Sequence, residues 1–485
     1  MKKQDRRTFI KSLAAGTAVA AFSGSIPVSC RGPKGKKQPN ILFLFTDDQR
    51  FDTIGCLYGN QVITPNIDRL VRQGMAFTRA HIMGGTHGAV CMPSRAMLLC
   101  GRTLFHLEKQ GAYIPKTHII LPEYLRQNGY KTFGTGKWHN GKKAFARCFD
   151  GGGKILFGGM SSHTDLPVYD FDPRGEYSRE KQYRENTFSS ELFSNEAVRF
   201  LEEYDSDEPF FLYVSYTAPH DPRMAPEEFT AMYNAEKIPL PENFMPEHPF
   251  DNGELDIRDE NLAPHPRTPE VIREHIAGYY AMISHLDFFI GRVLEALERS
   301  GKADDTIIIF TGDNGLAVGQ HGLLGKQNLY DHSVRVPLIF SGPGIPQNKT
   351  TEALCYLSDI YPTLCDFLGI PAPSSVAGSS LKDIIEGKAE KVRDRVFLAY
   401  RHLQRGLRTA DNWKLIKYNV QGIETTQLYN LNDDPWEINN LANDFRLQPR
   451  LKELATLLHS DMEALDDFCS LNKLNWGITE GGNGR

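Results

Sequence analysis

The chain has 485 residues, 40% hydrophobic and 24% charged, with a formal net charge of −5. That length supports a large buried core, in one large domain or two unequal ones. The acidic balance argues against a nucleic-acid-binding face. No internal apolar run approaches the roughly 20 residues of a membrane-spanning helix, and eight cysteines without a C-x-x-C pair argue against a zinc ribbon or a thioredoxin-like site.

Residues 1–30 read as an export signal, with a basic head, a short apolar middle and small residues before Cys30. Arg6-Arg7-Thr8-Phe9-Ile10-Lys11 resembles a bacterial twin-arginine signal. Val28 and Ser29 suit a lipid-attachment cysteine at Cys30, whereas Pro27 stands where such motifs favour leucine. Residues 31–38 read as a polar linker. The expected location is therefore outside the cytoplasm of a bacterium, in the periplasm or as a lipoprotein on the cell surface.

NILFLFTDDQR is a continuous apolar run ending in carboxylates, as in a strand buried on both faces. TPNIDRLVRQG predicts a helix capped by Thr64, with Pro65 first and Gly74 closing it. PSRAMLLCG predicts a second helix, with Cys91 at its N-terminus and Gly101 past its end. LPEYLRQNG then YKTFGTGKWH repeats the helix-to-strand step, and an apolar face from Leu192 to Tyr204 precedes the strand PFFLYVSYTAPH. A long helix around 270–300 leads to the strand DTIIIFTGDNG. This alternation predicts an α/β fold, a large mostly parallel sheet sandwiched by helices. PAPSSVAGSS suggests a boundary zone, giving a catalytic domain over 39–375. The strand-like pieces RVFLAYR, WKLIKYN and TQLYNL, with a helix near 447–465, make 376–485 a smaller α+β subdomain.

In such sheets chemistry gathers at the carboxyl ends of strands. Asp47-Asp48 and Asp313-Asn314 each stand at one, offering the hard oxygens that suit Ca²⁺ or Mg²⁺. Lys137 and His139 follow a third strand and His220 a fourth, while Lys326 lies in a Gly-rich loop. Converging beside a cation, these four make a site for a tetrahedral anion. Cys91, at a helix N-terminus, sits where backbone N–H groups favour negative charge.

C-x-P-S-R with Gly101-Arg102 resembles the signature of the formylglycine-dependent sulfatases, an alkaline-phosphatase-like family. PNILFLFTDDQR, TPNIDRL, GTGKWH, TGDNG, YDHSVRVPLIFSGPG, LSDIYPTL and QLYNLNDDPWEINNLA match that family in content and order, over about residues 39–445. The resemblance implies that a sulfatase-maturing enzyme oxidises Cys91 to formylglycine, whose hydrate attacks sulfur. It implies one Ca²⁺, rather than Mg²⁺, held by Asp47, Asp48, Asp313, Asn314 and modified Cys91. By the same resemblance Arg95 holds the formylglycine, Lys137 bridges it to the sulfate, His139 takes a proton, and His220 or Lys326 serves the leaving group.

The expected substrate is a sulfated carbohydrate, such as a glycosaminoglycan uronate 2-O-sulfate. The rivals are a phosphodiesterase or phosphonate monoester hydrolase of the same superfamily, a choline-sulfatase-like enzyme, and a non-catalytic binder of sulfated glycans. Substrate-binding candidates are His106, His163 and Arg223 on catalytic-domain loops, with Arg401, His402 and Arg405 from the basic cluster AYRHLQRGLR. One of these arginines is expected to grip a uronate carboxylate or a second sulfate.

Overall fold

The computed structural model describes residues 38–478; the export signal, Cys30 and nearly all of the linker lie outside them. Strand β1 (Asn40–Thr46) is apolar from Ile41 to Phe45 because both its faces are covered. Ile41, Phe43 and Phe45 enter one core cluster and Leu42 and Leu44 another, as the pleat dictates. Helix α1 (Pro65–Arg72) buries Ile67, Leu70 and Val71. Thr64 does not cap it: its Oγ1 accepts from the Gly55 N–H (2.9 Å) and donates to Asp68 (3.0 Å). Gly74 does not end it either, but opens β2 (Gly74–Phe77). A Cβ there would lie 2.0 Å from the Phe340 carbonyl oxygen, so it is the neighbouring strand that demands glycine.

Helix α2 (Cys91–Cys100) is buried throughout and ends on Gly101, whose φ of 63° is left-handed. In chain order there follow α3 (Leu121–Gln127), β3 (Lys131–Trp138), β4 (Gly151–Phe157), α4 (Ser189–Glu203), β5 (Phe210–Ser215), α5 (Pro269–Arg299), β6 (Thr306–Gly312), β7 (Leu338–Ser341), β8 (Lys349–Thr351) and α6 (Ile360–Leu368). Among the described residues the eight strands form one sheet in the order β8-β2-β7-β6-β1-β5-β3-β4. β7 runs antiparallel to both neighbours, and the other pairings are parallel. Helices α1, α4 and α5 cover one face, and α2, α3 and α6 the other. This is the mostly parallel, doubly covered sheet that the alternation of elements predicts.

The register places the chemistry. Thr46 pairs with Gly312, and Ser215 with both Phe45 and Gly136. Asp47 and Asp313, one residue beyond their strands, therefore stand at one edge beside Lys137, which does not follow its strand as expected but lies inside β3, still paired with Leu156.

The carboxyl-terminal part is an antiparallel meander of β9 (Arg395–Tyr400), β10 (Gln404–Thr409), β11 (Trp413–Val420) and β12 (Ile423–Asn430). Helix α7 (Gln448–Ala464) packs Leu454, Leu458 and Met462 against Val396, Leu407, Leu415 and Leu428. Gly84–Gly85, just ahead of α2, pairs in parallel with β9, so the small sheet braces the approach to Cys91. A buried ionic cluster adds a second tie. Asp331 accepts from Arg408 (2.5 Å) and Lys414 (2.7 Å), and Lys414 also meets Glu437 (2.5 Å). Deleting one member of such a cluster strands an uncompensated charge. Asp331→Ala is accordingly expected to lower unfolding stability by about 3–5 kcal/mol in denaturant titration; a loss below about 1 kcal/mol would show that the cluster is not a structural tie.

Candidate active site

Four strand ends and the start of α2 converge on one buried polar cage. Asp47 and Asp313 are fully buried, and Asp48, at φ 61°, turns back over them. The Asp48 N–H donates to Asp313 Oδ1 (3.0 Å), and the Asp313 N–H donates to the Thr46 carbonyl (3.1 Å). Tyr279, on α5, donates its hydroxyl to the Asp48 carbonyl (2.6 Å) and holds that turn.

Cations surround the carboxylates. Lys137 Nζ donates to Asp47 Oδ2 and lies 3.8 Å from Cys91 Sγ. Lys326 Nζ sits 2.6 and 2.8 Å from the two Asp48 oxygens. Arg95 stacks over the Phe45 ring (4.5 Å), donates from Nε to Asp313 Oδ2 (2.7 Å) and from Nη1 to Ser215 Oγ (2.7 Å), and holds Nη2 3.8 Å from Asp47. Ser94 donates to the Asp313 carbonyl (2.5 Å). The Ser-Arg half of the motif thus grips the acid at the end of β6. The Arg95 guanidinium orients Asp313 through Nε and Ser215 through Nη1, while its Nη2 is buried without a hydrogen-bond partner.

Burial, followed by the Asp313 charge, pushes Asp47 up to about 6. Asp313 is held below the carboxylate range: burial works the other way, but Arg95 and Lys137 outweigh it. Burial raises the Cys91 thiol to about 11 against the pull of Lys137 and Lys326. His139 Nδ1 lies 3.3 Å from Cys91 Sγ, and burial with the Lys137 charge takes its ring down to about 2, leaving a neutral base.

The cage also fits a metal. Ligand atoms of Asp47, Cys91 and Asp313 lie within 4.8 Å of one another. Asp47 Oδ1 and Asn314 Oδ1 are buried acceptors with no hydrogen-bond partner, an arrangement that is costly unless a cation completes it. The oxygens of Asp47, Asp48, Asp313 and Asn314 are hard donors, matched to Ca²⁺ or Mg²⁺.

A pocket of about 260 Å³ opens onto the cage, with Cys91, His139, His220, Lys326, Glu254 and Arg258 among its lining residues. His220 Nδ1 donates to the Asp221 carbonyl (2.8 Å), which leaves Nε2 to face the pocket, 3.6 Å from Asp48 Oδ2. His163 is not in that lining. Buried at 2% exposure, it reaches the His220 carbonyl through Nε2 (2.7 Å) while Nδ1 meets the Ser189 (2.8 Å) and Thr217 (3.2 Å) hydroxyls. It buttresses His220.

The other substrate-binding expectations divide. His106 bonds to Thr103 (2.6 Å) and Asp466 (2.9 Å), away from the pocket. Arg223 turns inward to His275 and is likewise not in the lining. Arg405 is fully buried and bonded to Asp467 (2.8 Å) and to the carbonyls of Arg401 and Gln404, so it is a structural tie and cannot grip a substrate. Arg401 and His402 line a neighbouring cavity. Sequence reasoning missed Tyr279, Ser215, Glu254 and Arg258. Asn140, which donates to the Met92 (2.9 Å) and Gly111 (2.7 Å) carbonyls and steadies the start of α2, was also missed.

The sulfatase family model matches residues 39–370, and the carboxyl-terminal model of N-sulphoglucosamine sulphohydrolase matches 319–466. An N-acetylglucosamine-6-O-sulfatase of Bacteroides thetaiotaomicron is 27% identical, over 90% of this chain and 89% of its own. An arylsulfatase of Clostridium perfringens is 30% identical, over 90% of this chain and 97% of its own. A structure solved with its substrate D-glucosamine-2-N,6-O-disulfate superposes with a TM-score of 0.75 at 26% identity, covering 91% of this chain and all of that one.

The cage predicts a calcium response. Millimolar Ca²⁺ added to chelator-stripped protein should stabilise it, by about 2.7 kcal/mol at one hundred times the dissociation constant. The thermal midpoint of Asp47→Asn should respond far less. An equal rise in both proteins would place the ion elsewhere.

Proposed function

Because the chain belongs to the sulfatase family and is a sulfuric ester hydrolase, we propose that it desulfates a saccharide, using oxidised Cys91 and a cage-bound Ca²⁺. The observation that carries the reading is the convergence of Cys91, Lys137 and His139 with the orphaned oxygens of Asp47 and Asn314. The carbohydrate part is supported by the relative named for N-acetylglucosamine 6-sulfate and by the neighbour bound to a glucosamine disulfate.

Asp47, Asp48, Asp313 and Asn314 would hold the cation, which when bound supplies positive charge against a sulfate oxygen. Formylglycine at position 91 would supply, as its hydrate, the nucleophilic oxygen that a thiol lacks. The chain's own groups do the rest. Lys137 Nζ faces residue 91 and adds a donor for the anionic reacting group. His139 Nδ1 stands within reach of the side chain of residue 91, the position of the proton acceptor in this reading. His220 Nε2 and Lys326 Nζ border the pocket, His220 placed to serve the leaving oxygen as a donor and Lys326, whose charge Asp48 sustains against burial, to neutralise it. Three carboxylates balance Arg95, Lys137 and Lys326, so a divalent ion held there would leave the cage net positive, a field that favours an anionic sulfate.

The basic, small-residue leader ending at Cys30 supports export and lipid attachment in the same reading, since sulfated polymers are met outside the cell. After co-expression with a sulfatase-maturing enzyme, mass spectrometry of the Cys91 peptide should show an aldehyde in place of the thiol. Aryl sulfate should turn over faster than aryl phosphodiester, and Cys91→Ala should lose roughly 10³-fold or more in kcat/KM. A retained thiol in an active enzyme, or a preference for the diester, would refute the reading.

A further inference from the structure

The pocket over Cys91 holds about 260 Å³, below the ~300–1,000 Å³ of ordinary small-molecule sites. It has room for a sulfate and the ring that carries it, so in an oligosaccharide the next ring must lie outside. A second cavity of about 620 Å³ adjoins it, and the two share Glu254 and Ile257 as a common wall.

Glu254 is only 5% exposed. Its Oε1 accepts both the Tyr400 hydroxyl (3.0 Å) and Arg401 Nη1 (2.5 Å). Among the described residues no donor reaches Oε2, so one oxygen of a buried carboxylate is left free at the partition. Arg401 is held there at φ 43°, with its N–H bonded to the Gly85 carbonyl (2.8 Å). That left-handed backbone belongs to the hairpin turn between β9 and β10, in which Tyr400 pairs with Gln404.

The charge around the second cavity is acidic. Asp251, Glu254 and Asp256 line it, opposed by Arg401, which is already paired to Glu254. His402 adds little positive charge, since burial and the nearby Arg401 and Arg405 lower its ring. A carboxylate or sulfate entering here would meet like charge, whereas hydroxyl or ammonium donors would find acceptors.

We propose that this cavity is a second saccharide subsite, which takes the ring next to the sulfated one through a hydroxyl or ammonium donor directed at Glu254 Oε2. It selects against a neighbouring uronate. This rests on the saccharide reading above and replaces the expectation that Arg401 or Arg405 grips a carboxylate.

The test is kcat/KM on 4-nitrophenyl sulfate, a sulfated monosaccharide, and matched sulfated disaccharides whose second ring is neutral, amino or uronate. Wild-type enzyme should favour the neutral or amino neighbour over the uronate by about 10-fold or more. Glu254→Gln should lower the ratio of neutral-disaccharide to aryl sulfate efficiency by about 30-fold. Asp256→Arg, at an exposed position, should narrow or invert the discrimination against uronate. If wild type accepts saccharides but is indifferent to the second ring, and neither variant changes the ratios, the subsite is refuted while the saccharide reading stands. If wild type turns over aryl sulfate and no saccharide, the reading itself fails and the subsite with it.

Discussion

Everything at this site depends on keeping three carboxylates together out of water. Asp47, Asp48 and Asp313 stand within hydrogen-bonding distance of a shared set of cations, all but inaccessible to solvent. Such a group is tolerable only if each charge is countered at close range. Lys137 meets Asp47, Lys326 meets Asp48, and Arg95 meets Asp313. The groups that make the anion site are thus the groups that make the fold possible around it. Removing any one disturbs both the local packing and the field at residue 91.

The rest of the structure supplies the rigidity this arrangement needs. Parallel register brings Asp47, Asp313 and Lys137 to one edge, and helices on both faces make that edge hard to deform. Helix α2 enters the cage from the side, tied by Ser94 and Arg95 to the end of β6 and by Asn140 at its start. The small carboxyl-terminal sheet contributes through Gly84–Gly85, which couples the meander to the turn before Cys91. Tyr400 and Arg401, at the end of β9, then reach Glu254 at the pocket wall. The same strand therefore steadies the segment of Cys91 and shapes the wall of the pocket above it.

Much of the cage was legible because its residues terminate strong apolar runs. NILFLFT before Asp47 and TIIIFTG before Asp313 announce buried parallel strands, and polar residues at such ends are conspicuous. His220 was readable for the same reason, after FFLYVS, whereas Lys137 and His139 stood out through the GTGKWH motif on a strand with little apolar character. Tyr279 was not legible, because it sits among the apolar positions of α5 and looks like any core aromatic. Glu254 and Arg258 lie on an irregular segment with no periodic signal to mark them. Arg405 misled because its partner Asp467 is 62 positions away, so a basic cluster that looks solvated in sequence is buried and neutralised in space. His163 looks from sequence like a substrate-binding loop residue for a similar cause: the Ser189 and Thr217 hydroxyls that enclose it come from distant segments.

The central claim is that the two strand-end pairs and residue 91 surround one cation. Anomalous diffraction from crystals of the matured protein grown with Ca²⁺ tests it most directly. The account predicts a single peak with oxygens of Asp47, Asp48, Asp313 and Asn314 at about 2.3–2.6 Å, and with the side chain of residue 91 beside it. A cage without a peak at saturating Ca²⁺, its carboxylates bonded only to Lys137, Lys326 and Arg95, would contradict it.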